Sequence, residues 1–152
     1  VRDRFREAGL ATPELDARLL AQAAFDIDAM ALIRRERDVL PEEWRVALER
    51  FAQRRLAGEP VSRIIGRREF WGLDFELNSA TLDPRPETEM LVADLVAFGQ
   101  SRPELHFIDL GTGSGAIAIA ALAALPRATG YAVDISAEAL DMARLNARRH
   151  GV

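Results

Sequence analysis

Two aspartates and three glycines carry the chemistry that this sequence offers. Asp109-Leu110-Gly111-Thr112-Gly113-Ser114-Gly115 follows the apolar run that includes Phe107 and Ile108 and opens onto another at Ala116. Glycines between a strand and a helix let the backbone turn tightly and approach a ligand with no Cβ in the way. Asp134 follows 23 residues after Gly111, at the end of the next apolar run. A carboxylate there can accept hydrogen bonds from both ribose hydroxyls of an adenosine group. Taken singly, these features also suit a glycine-rich turn and an aspartate that caps the next helix. Together, in this order, they point to a nucleoside cofactor. NAD sites share the architecture, and Ala116 can stand in for the last glycine of that fingerprint. Two features favour S-adenosylmethionine (SAM). Asp109 puts an acid at a strand end where NAD folds place an apolar residue, and it can orient the loop or bind the methionine amine. SAM also has no pyrophosphate, so the loop need only pack against its methionyl and ribose parts. NAD stays open on these spacings alone.

The elements that must position these residues can be read from periodicity. The spacing predicts a strand over 105–110, the glycine loop over 111–115, an apolar helix over 116–125, a strand over 130–134 and a helix over 136–150. This βαβα series implies a parallel sheet. The helix over 116–125 is apolar almost all round, so cover on both sides is expected. Pro86-Glu87-Thr88-Glu89 predicts a helix start, with Leu91, Leu95 and Phe98 on its buried face. Further upstream, Leu73, Phe75 and Leu77 alternate with polar residues, as a strand does. Ile64-Ile65 and Arg68 to Trp71 predict a preceding strand with a turn near Gly72. The first sixty residues predict helices. Thr12-Pro13-Glu14 opens one, with Leu15, Leu19 and Ala23 at helical spacing. A short helix follows Asp28. Pro41-Glu42-Glu43 opens another, with Trp44, Leu48, Phe51 and Leu56 along one face and Gly58 placed to end it.

Composition narrows the class. Of 152 residues, 49% are hydrophobic, enough to bury a core. The absence of cysteine excludes disulfides and zinc–thiolate sites. His106 and His150 are far apart in sequence, and no metal site is expected. No apolar run approaches the roughly twenty residues that span a bilayer, and the start lacks the apolar core of a signal peptide. A cytoplasmic protein fits, and no membrane contact is expected. The missing initial Met suggests a trimmed start. All twenty basic residues are arginine, against 24 acidic ones, for a net charge of −4. Strong nucleic-acid binders show a basic excess, so no direct nucleic-acid contact is expected. The arginine pairs Arg34-Arg35, Arg54-Arg55, Arg67-Arg68 and Arg148-Arg149 fit solvated helix faces and strand ends. Trp44 and Trp71 fit core and hairpin packing. Neither histidine has a partner visible in the sequence, although His150 suits the negative end of a helix.

Three stretches together resemble the HemK/PrmC family. The first is Gly58-Glu59-Pro60-Val61-Ser62-Arg63-Ile64-Ile65-Gly66 with Glu69-Phe70-Trp71-Gly72. The second is Pro84-Arg85-Pro86-Glu87-Thr88-Glu89. The third is Asp109 to Gly115, with Val133-Asp134-Ile135-Ser136 and Asn146-Ala147 beyond. Leu15-Asp16-Ala17-Arg18-Leu19-Leu20 extends the likeness to the front of the chain. The resemblance implies an α/β protein. Its parts are a helical substrate-recognition domain over 1–63, a β-hairpin linker over 64–83, and over 84–152 the first half of a Rossmann-like class I SAM-dependent methyltransferase sheet. It implies that Asp109, Gly111, Thr112, Gly113, Ser114, Gly115 and Asp134 bind SAM. Pro84 and Arg85 are expected beside the cofactor, although Arg85 equally suits a structural carboxylate and Pro86 suits a simple helix start. The implied activity is methylation of the glutamine side-chain amide in the Gly-Gly-Gln motif of peptide-chain release factors, which would be the protein partners.

The sequence departs from the family pattern in one respect. The family's catalytic Asn-Pro-Pro-Tyr motif is not in it, so no catalytic residue is assigned, and the 152 residues alone are expected to show little or no turnover. An uncovered apolar sheet face is expected as well. Other readings are methylation of a ribosomal-protein glutamine, adenine N6-methylation of DNA, a non-catalytic protein-binding module, and an oxidoreductase. The missing basic excess argues against DNA. The intact glycines and Asp134 argue against a vestigial cofactor half.

Overall fold

The computed structural model describes residues 1–102 and 104–152. The chain divides into two compact units, Val1–Ile65 and Gly66–Val152.

The first unit is helical. Its helices are α1 (Arg2–Glu7), α2 (Pro13–Phe25), α3 (Ala29–Arg34), α4 (Glu42–Leu56) and α5 (Val61–Ile65). Pro13 sits in the first turn of α2, where a missing N–H costs nothing. Asp28 caps α3 by accepting from the Ala31 amide at 2.6 Å. Gly58, at φ +93°, lets the chain leave α4. Phe5, Leu20, Ala52 and Ile64 form the buried core, with Leu48, Phe51 and Leu56 packed against it. Trp44 stacks on Phe25 with ring centroids 4.6 Å apart.

Two expectations fail here. Ile64 and Ile65 belong to α5 and form no strand. The buried face of α2 is Asp16, Leu20, Ala21 and Phe25, while Leu15 and Ala23 are exposed. Apolar periodicity missed this face because an acid lies on it. Asp16 accepts from Arg55 Nε at 2.7 Å and from the Thr12 hydroxyl at 2.8 Å. Arg55 is therefore bound up in the unit, and Arg54 pairs with Glu59. Neither arginine is simply a solvated surface charge.

The second unit opens with an antiparallel hairpin, β1 (Arg67–Phe70) and β2 (Leu73–Glu76). Its two-residue turn, Trp71-Gly72, has positive φ at both positions, +56° and +73°. That is the turn whose twist matches paired strands. A single 3₁₀ turn, Pro86–Thr88, leads into α6 (Glu89–Gln100). Then come β3 (His106–Leu110), α7 (Ala116–Ala124), β4 (Thr129–Val133) and α8 (Ala137–His150). Strands β3 and β4 pair in parallel, His106 against Thr129 through Leu110 against Val133. Phe107 lies over Gly130, where an added Cβ would come within 2.7 Å of the ring.

Phe70, Phe75, Val92, Ala116, Ile119 and Ala120 make the second core. Helix α7 is buried along most of its circumference, as its composition predicts. Helix α6 buries Val92 and Gly99, whereas Leu91 and Phe98 are 59% and 51% exposed. The predicted face of α6 is thus wrong at two of three positions. Close packing of Gly99 against Leu125 and Leu105 sets the face instead. Ile108, Leu110, Tyr131 and Val133 stand exposed on the sheet, with Leu110 at 77%. This is the uncovered apolar face that the sequence leads one to expect.

Candidate functional site

The loop between β3 and α7 lies at the carboxyl end of two parallel strands, where ligands of open α/β sheets bind. Gly111, Gly113 and Gly115 all have positive φ, at +76°, +57° and +83°, a region that costs other residues roughly 1–2 kcal/mol. The three differ in what surrounds them. A Cβ on Gly111 or Gly113 would meet nothing within 4 Å, so that side of the loop is open. A Cβ on Gly115 would lie 2.7 Å from Ile119 Cδ1 and 3.2 Å from Ala143 Cβ. The first two glycines leave room beside the backbone, and the third lets α8 approach the start of α7.

The loop is tied down at both ends. The Gly111 and Thr112 amides donate to the Val133 carbonyl at 2.8 and 3.0 Å. The Thr112 hydroxyl donates to Asp109 Oδ2 at 2.7 Å, so Asp109 orients the loop. Asp134 Oδ2 accepts from the Gly113 amide at 2.8 Å, and Oδ1 accepts from the Ser136 amide at 2.9 Å. These main-chain donors, Ser136 first and then Gly113, hold the Asp134 carboxyl below its ordinary value. It is ionised at neutral pH and keeps acceptor capacity on both oxygens. Ser136 starts α8 by accepting from the Ala139 amide at 3.2 Å.

Sequence reasoning assigned no role to Asn146, which is fully buried. Its Nδ2 donates to the Ser114 carbonyl at 2.9 Å and to the Glu76 carbonyl at 3.0 Å. Its Oδ1 accepts from the Glu76 amide at 2.9 Å. A polar residue on the inner face of an amphipathic helix was the available signal. Around it, Arg149 pairs with Glu76 and Asp74, and His150 Nε2 lies 3.0 Å from the Asp74 carbonyl. His150 therefore has a partner, contrary to expectation, and Arg149 grips the hairpin rather than facing water alone.

The structure thus brings Asp109, Gly111, Thr112, Gly113, Ser114, Gly115 and Asp134 into one hydrogen-bonded unit. Pro84 and Arg85 lie just before the 3₁₀ turn, Pro84 half-buried and Arg85 exposed. Among the described residues no hydrogen bond joins them to the loop. Their segment is anchored elsewhere: Glu89 Oε1 accepts from the Trp71 amide at 3.0 Å. The residues present suit a nucleoside cofactor, with an open glycine backbone and two acids, Asp134 and Asp109, each hydrogen-bonded to the loop.

Comparison with known proteins fits both halves. Residues 1–66 match the PrmC N-terminal domain family, and residues 101–152 match a methyltransferase domain family. The chain is thus the start of a Rossmann-like methyltransferase domain preceded by a PrmC-type helical domain. A protein of Bradyrhizobium diazoefficiens named release factor glutamine methyltransferase is 46% identical over 147 residues, 95% of this chain and 50% of that one. Proteins of the same name from Rhodospirillum rubrum and Neisseria gonorrhoeae are each 45% identical, over 98% and 89% of this chain and 46% and 49% of theirs. By these matches the chain is similar to the N-terminal portion of the HemK/PrmC family. It spans about half the length of the curated relatives it matches. No helix among the described residues is long and apolar enough to cross a membrane.

Proposed function

We propose that this chain is the cofactor-binding portion of a SAM-dependent methyltransferase that modifies the side-chain amide nitrogen of the Gly-Gly-Gln glutamine in peptide-chain release factors. The observation that carries the reading is the glycine loop, open beside Gly111 and Gly113 and hydrogen-bonded through the Gly113 amide to the ionised Asp134 carboxylate. Asp134 would take the ribose hydroxyls on its free lone pairs. Asp109 would face the methionine amine, and Gly111 and Gly113 would give the cofactor close access to the backbone. Pro84 and Arg85 would line the cleft beside it, and residues 1–63 would recognise the protein substrate.

SAM supplies the electrophile, a methyl group on a sulfonium. An amide nitrogen is a poor nucleophile, so alignment of the two reactants must do most of the work. The contribution of these residues is therefore to hold the cofactor still. The loop is pinned to β4 through Val133, to Asp134 through Gly113 and to α8 through Ser114. Three independent anchors leave its backbone little freedom to move against a bound ligand.

The test uses the complete protein with methyl-labelled SAM and a purified release factor, followed by mapping of the label. Label on the Gly-Gly-Gln glutamine, lost when that residue is replaced, is the expected result. Label on a ribosomal protein instead would overturn the substrate while keeping the chemistry. SAM binding that survives loss of the Asp134 carboxylate would overturn the site.

A further inference from the structure

Asn146 meets the glycine loop from behind. Its carboxamide uses both N–H groups and its oxygen on main-chain atoms of two other segments, the Ser114 carbonyl in the loop and both polar groups of Glu76 in β2. A carboxamide is the one neutral side-chain group that donates twice and accepts at the same time. Aspartate has the same shape but would set an acceptor against two carbonyls. Leucine would leave all three partners without their bonds.

Ser114 is itself buried and lies between Gly113 and Gly115, both at positive φ. Rotation of the Ser114 peptide would turn the Gly115 amide and swing the neighbouring loop backbone. Asn146 resists that rotation through the Ser114 carbonyl, while Asp134 holds the Gly113 amide. The loop is thus held at two consecutive residues by two different side chains. One grip comes from an acid in reach of the ligand, the other from a buried amide with no access to it. Through Glu76, the same amide ties β2 to the loop.

We propose that Asn146 is a positioning residue for the cofactor loop, setting the path of the Gly113–Gly115 backbone and making the β1–β2 hairpin part of the frame that binds the cofactor. The proposal rests on the reading of this loop as a SAM site.

The experiment compares Asn146→Asp with Val92→Ala in the complete protein. Val92 is fully buried in the same core and belongs to neither the loop nor the hairpin. Each variant is measured for SAM affinity by calorimetry, for KM toward the protein substrate, and for amide hydrogen exchange over residues 111–116. Asn146→Asp is expected to weaken SAM binding about tenfold or more, the size set by loss of one or two buried hydrogen bonds, with faster exchange over 111–116 and unchanged protein-substrate KM. Val92→Ala is expected to lower stability with SAM affinity kept within about twofold. Equal weakening in both variants, or unchanged SAM affinity in Asn146→Asp, would overturn the proposal. Failure of the parent protein to bind SAM would overturn the underlying reading as well. The exchange data would then separate the two failures, because faster loop exchange in Asn146→Asp alone would leave Asn146 a role in folding and none in cofactor binding.

Discussion

Each unit fixes its shape with a few polar side chains, and the pairs that matter most in the two are of different kinds: half-buried Asp134 and buried Asn146 in one, the Asp16–Arg55 pair in the other. In the helical unit, Asp16 on α2 meets Arg55 on α4, side chain to side chain, with 6% and 18% of their side-chain surfaces exposed. In the α/β unit, Asp134 and Asn146 bond only to main-chain atoms. A side-chain pair fixes how two helices dock and leaves the backbone of each unchanged. Bonds to the main chain fix the path of a loop that has no regular structure of its own. The second device belongs where a ligand must meet the backbone at a set distance, and the first where helices need only stay together.

The sharpest way to break this contrast is Gly115→Val. A side chain there is at once in an unfavourable backbone region and in collision with Ile119 and Ala143. It should cost about 3 kcal/mol or more and abolish SAM binding, as read by hydrogen exchange over α7 and by calorimetry. The next effect falls in the other unit. Arg55→Ala leaves Asp16 buried without its cation and should cost about 3 kcal/mol. Exchange should quicken in α2 and α4 while SAM affinity holds, and loss of SAM affinity in this variant would dissolve the contrast. Restoring an apolar pair with Asp16→Leu and Arg55→Met together should recover much of that loss.

Smaller still in stability, and confined to the site, is Asp134→Asn. It should weaken SAM binding by on the order of tenfold, because a charged acceptor becomes neutral and one oxygen becomes a donor facing an amide. Little change is expected in α2 or α4. The smallest effect is in pH. The Asp134 carboxyl is depressed in the folded state, so its contribution is fully present above the ordinary carboxylate value of 3.8 and is lost as pH falls through the lower folded value. The Gly113 amide resonance should therefore titrate with a midpoint below 3.8, and a midpoint above it would sink the assignment of this hydrogen bond.

How far the sequence could be read follows the same division. Strand, loop and helix order in the second unit was legible, because alternation and the glycine spacing are local. So were helix starts at Pro13 and Pro41 and the stop at Gly58. Buried faces were less legible. Asp16 turned α2 by one position because an ion pair 39 residues distant in sequence licensed an acid inside. Phe98 was misplaced because Gly99, with no side chain to register in a periodicity, makes the close contact. The glycine loop and the two aspartates that bond to it, Asp109 and Asp134, were legible as one group, whereas Pro84 and Arg85 make no hydrogen bond to that loop among the described residues. The role of Asn146 was not legible, since its partner Glu76 is 70 residues away and its place on the inner face of α8 says only that it is buried, without naming what it meets.

That separation also sets an order of events. The Asn146 carboxamide cannot meet Ser114 and Glu76 until α8 is complete, and closing such spans carries an entropic cost that must be met before the contacts form. As the chain leaves the ribosome, the hairpin and the glycine loop emerge first and α8 follows. The loop is therefore expected to take its binding shape late, when α8 docks and joins segments made earlier. Until then the nascent chain holds an unfixed loop, shaped only when α8 has been made and has docked.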